Sequence, residues 1–145
     1  MGWRKAVIEH CSIYPRIEVL TPLCLDSTVH RGLSDKGLKS WVPTNAIPQR
    51  DRLAIQKSDL LITNYDTFGS DRPAIGTICE AAWAFHLDKP IISISADRVY
   101  REHPFLSYFA AATYSTTKEM IDSEIIEYFL KGITAYQNGS QYAIH

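Results

Sequence analysis

The sequence predicts an α/β fold: one three-layer domain of the flavodoxin-like or Rossmann-like kind, with a mostly parallel sheet and helices on both faces. Two observations predict it. The runs Leu60-Leu61-Ile62-Thr63-Asn64 and Ile91-Ile92-Ser93-Ile94-Ser95 have the length and β-branched content of strands buried on both sides. Segments with apolar residues at helical spacing lie between and around them, and such alternation is the pattern of parallel sheets.

Each element has its own signal. Residues 3–11 (WRKAVIEHC) place Trp3, Val7 and His10/Cys11 at helical spacing, and Pro15 ends that helix. Ile17-Glu18-Val19-Leu20 predicts a short strand closed by Thr21-Pro22. Residues 22–48 carry Pro22, Gly32, Gly37, Pro43 and Pro48, a loop long enough to suggest a function of its own. Trp41 lies in it, either as a lid over a ligand or as a pin for the loop. Pro48 fits the first turn of a helix running to about Lys57. After the strand at 60–64, residues 66–73 form a Gly/Ser/Asp/Pro-rich turn. A helix follows from about Ile75 to Leu87, with Ile78, Ala81, Ala82 and Phe85 as its apolar stripe, and Asp88-Lys89-Pro90 ends it. Beyond the strand at 91–95 and a loop with His103-Pro104, Ala110–Thr113 predicts a short last strand. Thr117 caps a final helix (TTKEMIDSEIIEYFLK) that Gly132 stops. The chain thus opens on a helix, whereas folds of this kind usually open on a strand.

A chain of 145 residues is one domain's worth and long enough to bury a core. Lys plus Arg is 15 against 16 for Asp plus Glu, so no basic excess exists to hold a nucleic-acid polymer. No apolar run approaches the ~18 residues of a membrane span, and no secretory signal is expected at the start. Cys11, Cys24 and Cys79 are odd in number and widely spaced, which predicts free thiols and a cytoplasmic setting rather than disulfides or zinc. No metal site is expected.

In open α/β sheets, ligands bind beyond the carboxyl ends of the strands. Three stretches are expected to converge there: the loop after Asn64, the helix start at Gly76-Thr77, and the loop after Ser95. Glu80 lies one turn into that helix, on the same face as Gly76 and Thr77. The helix N-terminus favours negative charge. An oriented carboxylate beside a small-residue turn is suited to act as a nucleophile or electrostatic stabiliser; the plain alternative is a surface acid facing the dipole. Asp51 is either a first-turn acid of its helix or a proton donor or acceptor reaching the same cleft. Asp59 reads as a turn residue. No Gly-rich phosphate loop occurs, and no Ser-His-Asp triad is assembled by spacing.

Residues 50–92 run R-D-x-x-x-I-x-x-S-D-L-L-I-T-N, then G-T-x-x-E-A-A-W-A, then K-P-I-I. This ordered set resembles the nucleoside 2-deoxyribosyltransferase superfamily, including its nucleotide N-glycosidase branch. Gly2-Trp3-Arg4, Thr21-Pro22, Glu102-His103-Pro104 and the last helix also match, so the resemblance covers most of the chain. It implies N-glycosidic bond chemistry on nucleosides or nucleotides. Glu80 matches the nucleophilic glutamate, which would form a covalent glycosyl-enzyme on C1′, by the logic of retaining glycosidases. Asp51 matches the acid that contacts the base and assists its departure. Gly76 and Thr77 match the turn beside the sugar. Asn64 and Asp71 are further substrate-binding candidates, as is His103, in a segment that family members lend to a neighbouring subunit. The resemblance also implies a homodimer or higher homo-oligomer with sites near the interface, a nucleoside or nucleotide and a free nucleobase as partners, and no cofactor.

Two departures bear on the activity. The family's first strand and its Y-L-A-G-P-like loop have no counterpart before Gly2, which leaves a late start, a truncation or an incomplete site. Ala74 stands six residues before Glu80, where relatives carry Ser or Asp, with Asp71 or Ser70 as substitutes. Three functions remain open at this point. The first is deoxyribosyl transfer between nucleobases through Glu80, and the second is hydrolysis of nucleoside 5′-monophosphates, for which Arg72 is the nearest candidate phosphate ligand. The third is a catalytically incomplete nucleoside- or nucleotide-binding protein of the same fold. A flavodoxin-like signalling domain fits the coarse pattern but has no motif.

Overall fold

The computed structural model describes residues 2–21, 43, 45–71 and 73–137, with residues 134–137 described by backbone alone. The Cys24, Trp41 and Arg72 expectations lie outside the described residues. The chain divides into two compact units, Met1–Ser58 and Asp59–His145.

The first unit holds α1 (Trp3–Cys11) and α2 (Ala46–Lys57). In α1 the buried residues are Val7 and Cys11, four apart and so on one face. In α2 Pro48 sits in the first turn, where its missing N–H costs no hydrogen bond. The strand expected at 17–20 is not formed: no described segment pairs with Ile17–Leu20. A β-branched run becomes a strand only when a partner takes up its N–H and C=O groups.

The second unit is an α/β structure in the order β1 (Leu61–Asn64), α3 (Ile75–His86), β2 (Ile91–Ile94), α4 (Arg98–Arg101), α5 (Pro104–Phe109), β3 (Ala112–Tyr114), α6 (Thr117–Asp122), α7 (Ile125–Gln137). The three strands form one parallel sheet in the order β1-β2-β3, with Leu61 opposite Ile91 and Ile92 opposite Ala112. β2 is central and buried along its whole length, which is why its sequence is a continuous Ile-rich run rather than an alternation. Its one polar residue, Ser93, lies opposite Thr63, and the two hydroxyls meet at 3.0 Å, so each buried oxygen has a partner. α3 lies against β1 and β2, and its fully buried Ala81 and Ala84 let the helix approach closely. The helix ends at His86, and beyond its C-cap Leu87 the φ of +56° at Asp88 turns the chain while Lys89 N–H caps the Ala84 carbonyl at 2.9 Å.

Five details depart from the pattern expected of the sequence. The segment before β3 contains two short helices, α4 and α5. Asp97 Oδ1 accepts from Val99 N–H at 2.8 Å to start the first. His103 Nδ1 accepts from Phe105 N–H at 3.3 Å to start the second, with Pro104 at its first position. β3 begins at Ala112 rather than Ala110. The last helix is two, broken at Ser123-Glu124, where Glu124 has φ +58°. Thr116, not Thr117, caps α6, its Oγ1 accepting from Glu119 N–H at 3.1 Å. Gly132 does not stop α7, which continues to Gln137.

Candidate functional site

The carboxyl ends of β1 and β2 are bound together by side chains. Asn64 closes β1, and its Oδ1 accepts from the Asp66 amide at 2.9 Å. That Asx turn aims Asp66 across the sheet. Asp66 Oδ1 then accepts from the Ser95 hydroxyl at 3.0 Å and from Ala96 N–H at 2.8 Å, both just beyond β2. Arg101 Nη1 donates to the Ser95 and Ala96 carbonyls at 2.8 and 2.7 Å, fixing the same loop from its other side.

α3 starts beyond this latch. Its N-cap, Ala74, offers no side-chain acceptor, and Ile78 N–H bonds the Ala74 carbonyl at 3.0 Å. Gly76 and Glu80 are four residues apart and Thr77 and Glu80 three, so the structure brings these three onto one face of α3. Gly76 is exposed, and Thr77 and Glu80 are half-buried. Among the described residues, a Cβ built on Gly76 meets nothing within 4 Å.

The other expected residues are placed as follows. Asn64 is buried and its Oδ1 is used by the turn. Asp71 is exposed in the bend before α3. His103 caps α5 and lines an apolar hollow of about 500 Å³ with Ile78, Tyr100, Leu106 and Phe109. Asp51 belongs to the first unit, where Arg50 Nε and Nη2 both reach its Oδ1 at 3.0 Å and its side chain is 16% exposed. Among the described residues no three His, Cys, Asp or Glu side chains converge to hold a metal ion, and no helix is long and apolar enough to cross a membrane.

Sequence reasoning missed Asp66, Ser95 and a pair of stacked rings. Tyr65 and Tyr100 lie 6° from parallel with centroids 5.7 Å apart. Tyr65 is 2% exposed, and its hydroxyl has no hydrogen-bond partner among the described residues. The one available signal was the Asn64-x-Asp66 spacing at a strand end, which is an Asx-turn pattern.

The fold and this arrangement define an α/β protein whose polar side chains gather at the carboxyl ends of a parallel sheet. No protein-family model matches the chain, and no curated protein matches it. Among solved structures, the chain is similar to the Clostridium botulinum CMP N-glycosidase BcmB, at 20% identity over 70% of this chain and 87% of that one, with a TM-score of 0.46. At that distance the similarity carries nothing about this chain's chemistry.

Proposed function

We propose that this protein cleaves the N-glycosidic bond of a nucleoside or nucleotide through Glu80. The observation that carries the proposal is the shared face of Gly76, Thr77 and Glu80 on α3, in a chain that also holds the ordered R-D, Asn64, G-T-x-x-E and K-P motifs. A Glu80 carboxylate oxygen attacks C1′ of the sugar. The C1′–N bond breaks, and its electron pair leaves on the base nitrogen, which takes a proton from solvent. The result is a glycosyl ester on Glu80 and a free base. A ring nitrogen of a second base then attacks C1′, losing its proton to solvent and regenerating the Glu80 carboxylate, and the net reaction is deoxyribosyl transfer. Water attacking instead gives hydrolysis. Gly76, lacking a side chain, leaves room for the sugar, and Thr77 offers it a hydroxyl. A homo-oligomer completing the site with His103 belongs to the same proposal.

The test is chromatography of free base and new nucleoside after incubating the protein with thymidine plus adenine, and separately with deoxynucleoside monophosphates. New deoxyadenosine that falls at least about a thousandfold in Glu80→Ala supports transfer. Base release from monophosphates alone, also lost in the variant, assigns hydrolysis through the same residue. A folded sample silent in every mixture, or activity that survives Glu80→Ala, overturns the proposal.

A further inference from the structure

Tyr100 stands between two hollows. One, of about 360 Å³, opens between the loops that follow β1 and β2, with Tyr65, Asp66 and Phe68 among its walls. The other is the apolar hollow of about 500 Å³ that holds Ile78, His103, Leu106 and Phe109. Among the described residues, Tyr100 is the wall that the two have in common.

The backbone on either side of Tyr100 is pinned, and its ring is not. α4 is four residues long, too short to hold itself together. Asp97 Oδ1 accepts from Val99 N–H at one end, and Arg101 Nη1 reaches the Ser95 and Ala96 carbonyls at the other. The Tyr100 ring is half-buried and rests on Tyr65, 6° from parallel. Among the described residues its hydroxyl has no hydrogen-bond partner. The stack is therefore what holds the ring over Tyr65.

Two effects oppose each other in that stack. Contact between the rings favours it. Tyr65, however, is 2% exposed, and its sealed hydroxyl has no partner among the described residues. A hydroxyl in that position has lost its water without replacement, and admitting water relieves it. The two effects are of similar size, so the covered arrangement wins by little.

We propose that Tyr100 is a swinging partition. In its second position the ring leaves Tyr65 and enters the apolar hollow, whose size is that of sites that take small organic molecules and so accommodates a phenol. His103 is the polar side chain there for the Tyr100 hydroxyl to meet. Water then reaches the Tyr65 hydroxyl, and the two hollows become one cleft running from the ends of β1 and β2 to α5. The device stands independently of the reaction proposed for Glu80.

Relaxation-dispersion NMR of the tyrosine rings tests it, read at Cζ, which a flip about the ring axis leaves in place. Tyr65→Phe keeps the stack and removes the sealed hydroxyl. The expected result is a second state of Tyr100 populated at about 1–10% in the unaltered protein. In Tyr65→Phe that population falls at least fivefold. Absence of exchange at Tyr100 Cζ overturns the proposal, as does exchange that Tyr65→Phe leaves unchanged. Backbone amides of Arg98–Arg101 exchanging at the same rate would make the event a melting of α4 and likewise overturn it.

Discussion

The Asp66 carboxylate and the Ser95 hydroxyl meet at 3.0 Å across 29 residues of sequence, fastening the loop after β1 to the loop after β2. The same carboxylate oxygen also takes the Ala96 amide. Hydrogen bonds to a charged group contribute about 1.5–3 kcal/mol each, less where solvent reaches them, as it does at half-buried Asp66. Asp66→Ala should lower stability by about 2 kcal/mol, and Asp66→Asn, which keeps an acceptor, by less. Urea unfolding reads both, and equal midpoints for the two variants would mean that the acceptor kept by Asn contributes nothing without the charge.

Tyr65 buries a hydroxyl that has no hydrogen-bond partner among the described residues. A sealed, unsatisfied polar group costs about 1–3 kcal/mol, and removing it recovers part of that. Tyr65→Phe should therefore leave stability unchanged or raise it by up to about 1 kcal/mol, with the Tyr100 stack retained. A clear fall in thermal midpoint would show that the hydroxyl is satisfied in solution.

Glu119 is held below the ordinary glutamate pKa, first by the Ser115 hydroxyl and then by the Ser115 amide, both donating to its carboxylate. A lowered folded-state pKa means that the interaction stabilises above the ordinary value and is lost as pH falls through the lowered one. Ser115→Ala should move the Glu119 titration, followed by carboxyl NMR shifts, back up toward the ordinary value. An unmoved titration would remove the hydroxyl as its cause.

Glu124 occupies the left-handed region at the break between α6 and α7. A non-glycine residue there carries roughly 1–2 kcal/mol of steric cost, partly offset in glycine by the entropy that glycine loses on folding. Glu124→Gly should raise stability by about 0.5–1 kcal/mol in denaturant titrations. A loss of that size would mean that the Glu124 side chain does more than pass through the turn.

Gly76 lies in the first turn of α3, and a Cβ there meets no neighbour among the described residues. Gly76→Ala should stabilise the helix by up to about 1 kcal/mol. If Gly76 leaves room for the sugar, as proposed, the same variant raises KM several-fold. Stability gained with KM unaltered would separate Gly76 from the substrate.

The parts of the fold that stood out in the sequence are those with a long repeat of one signal. β1 and β2 were marked by unbroken β-branched runs and α3 by its apolar stripe, and all three lie within two residues of their expected bounds. α4 and α5, at four and six residues, are too short for periodicity and were marked only by Asp97 and His103-Pro104. The break at Glu124 was hidden because Ser and Glu both sit comfortably within helices. Ile17–Leu20 misled because strand composition belongs to one segment, whereas a strand belongs to two. At the candidate site, the common face of Gly76, Thr77 and Glu80 followed from i+3 and i+4 spacing alone. The Asp66 latch did not, since its partners are some thirty residues away.

The parallel register also orders the assembly of the sheet. Ile92 finds Ala112 across twenty residues, whereas Leu61 finds Ile91 across thirty. Chain closure favours the shorter span by only about 0.4 kcal/mol. By loop length alone the β2-β3 pairing is the easier closure, and pairing β1 is what carries Asn64 and Asp66 to Ser95. The side chains that bind the two loops together therefore come into register only when the sheet itself is complete.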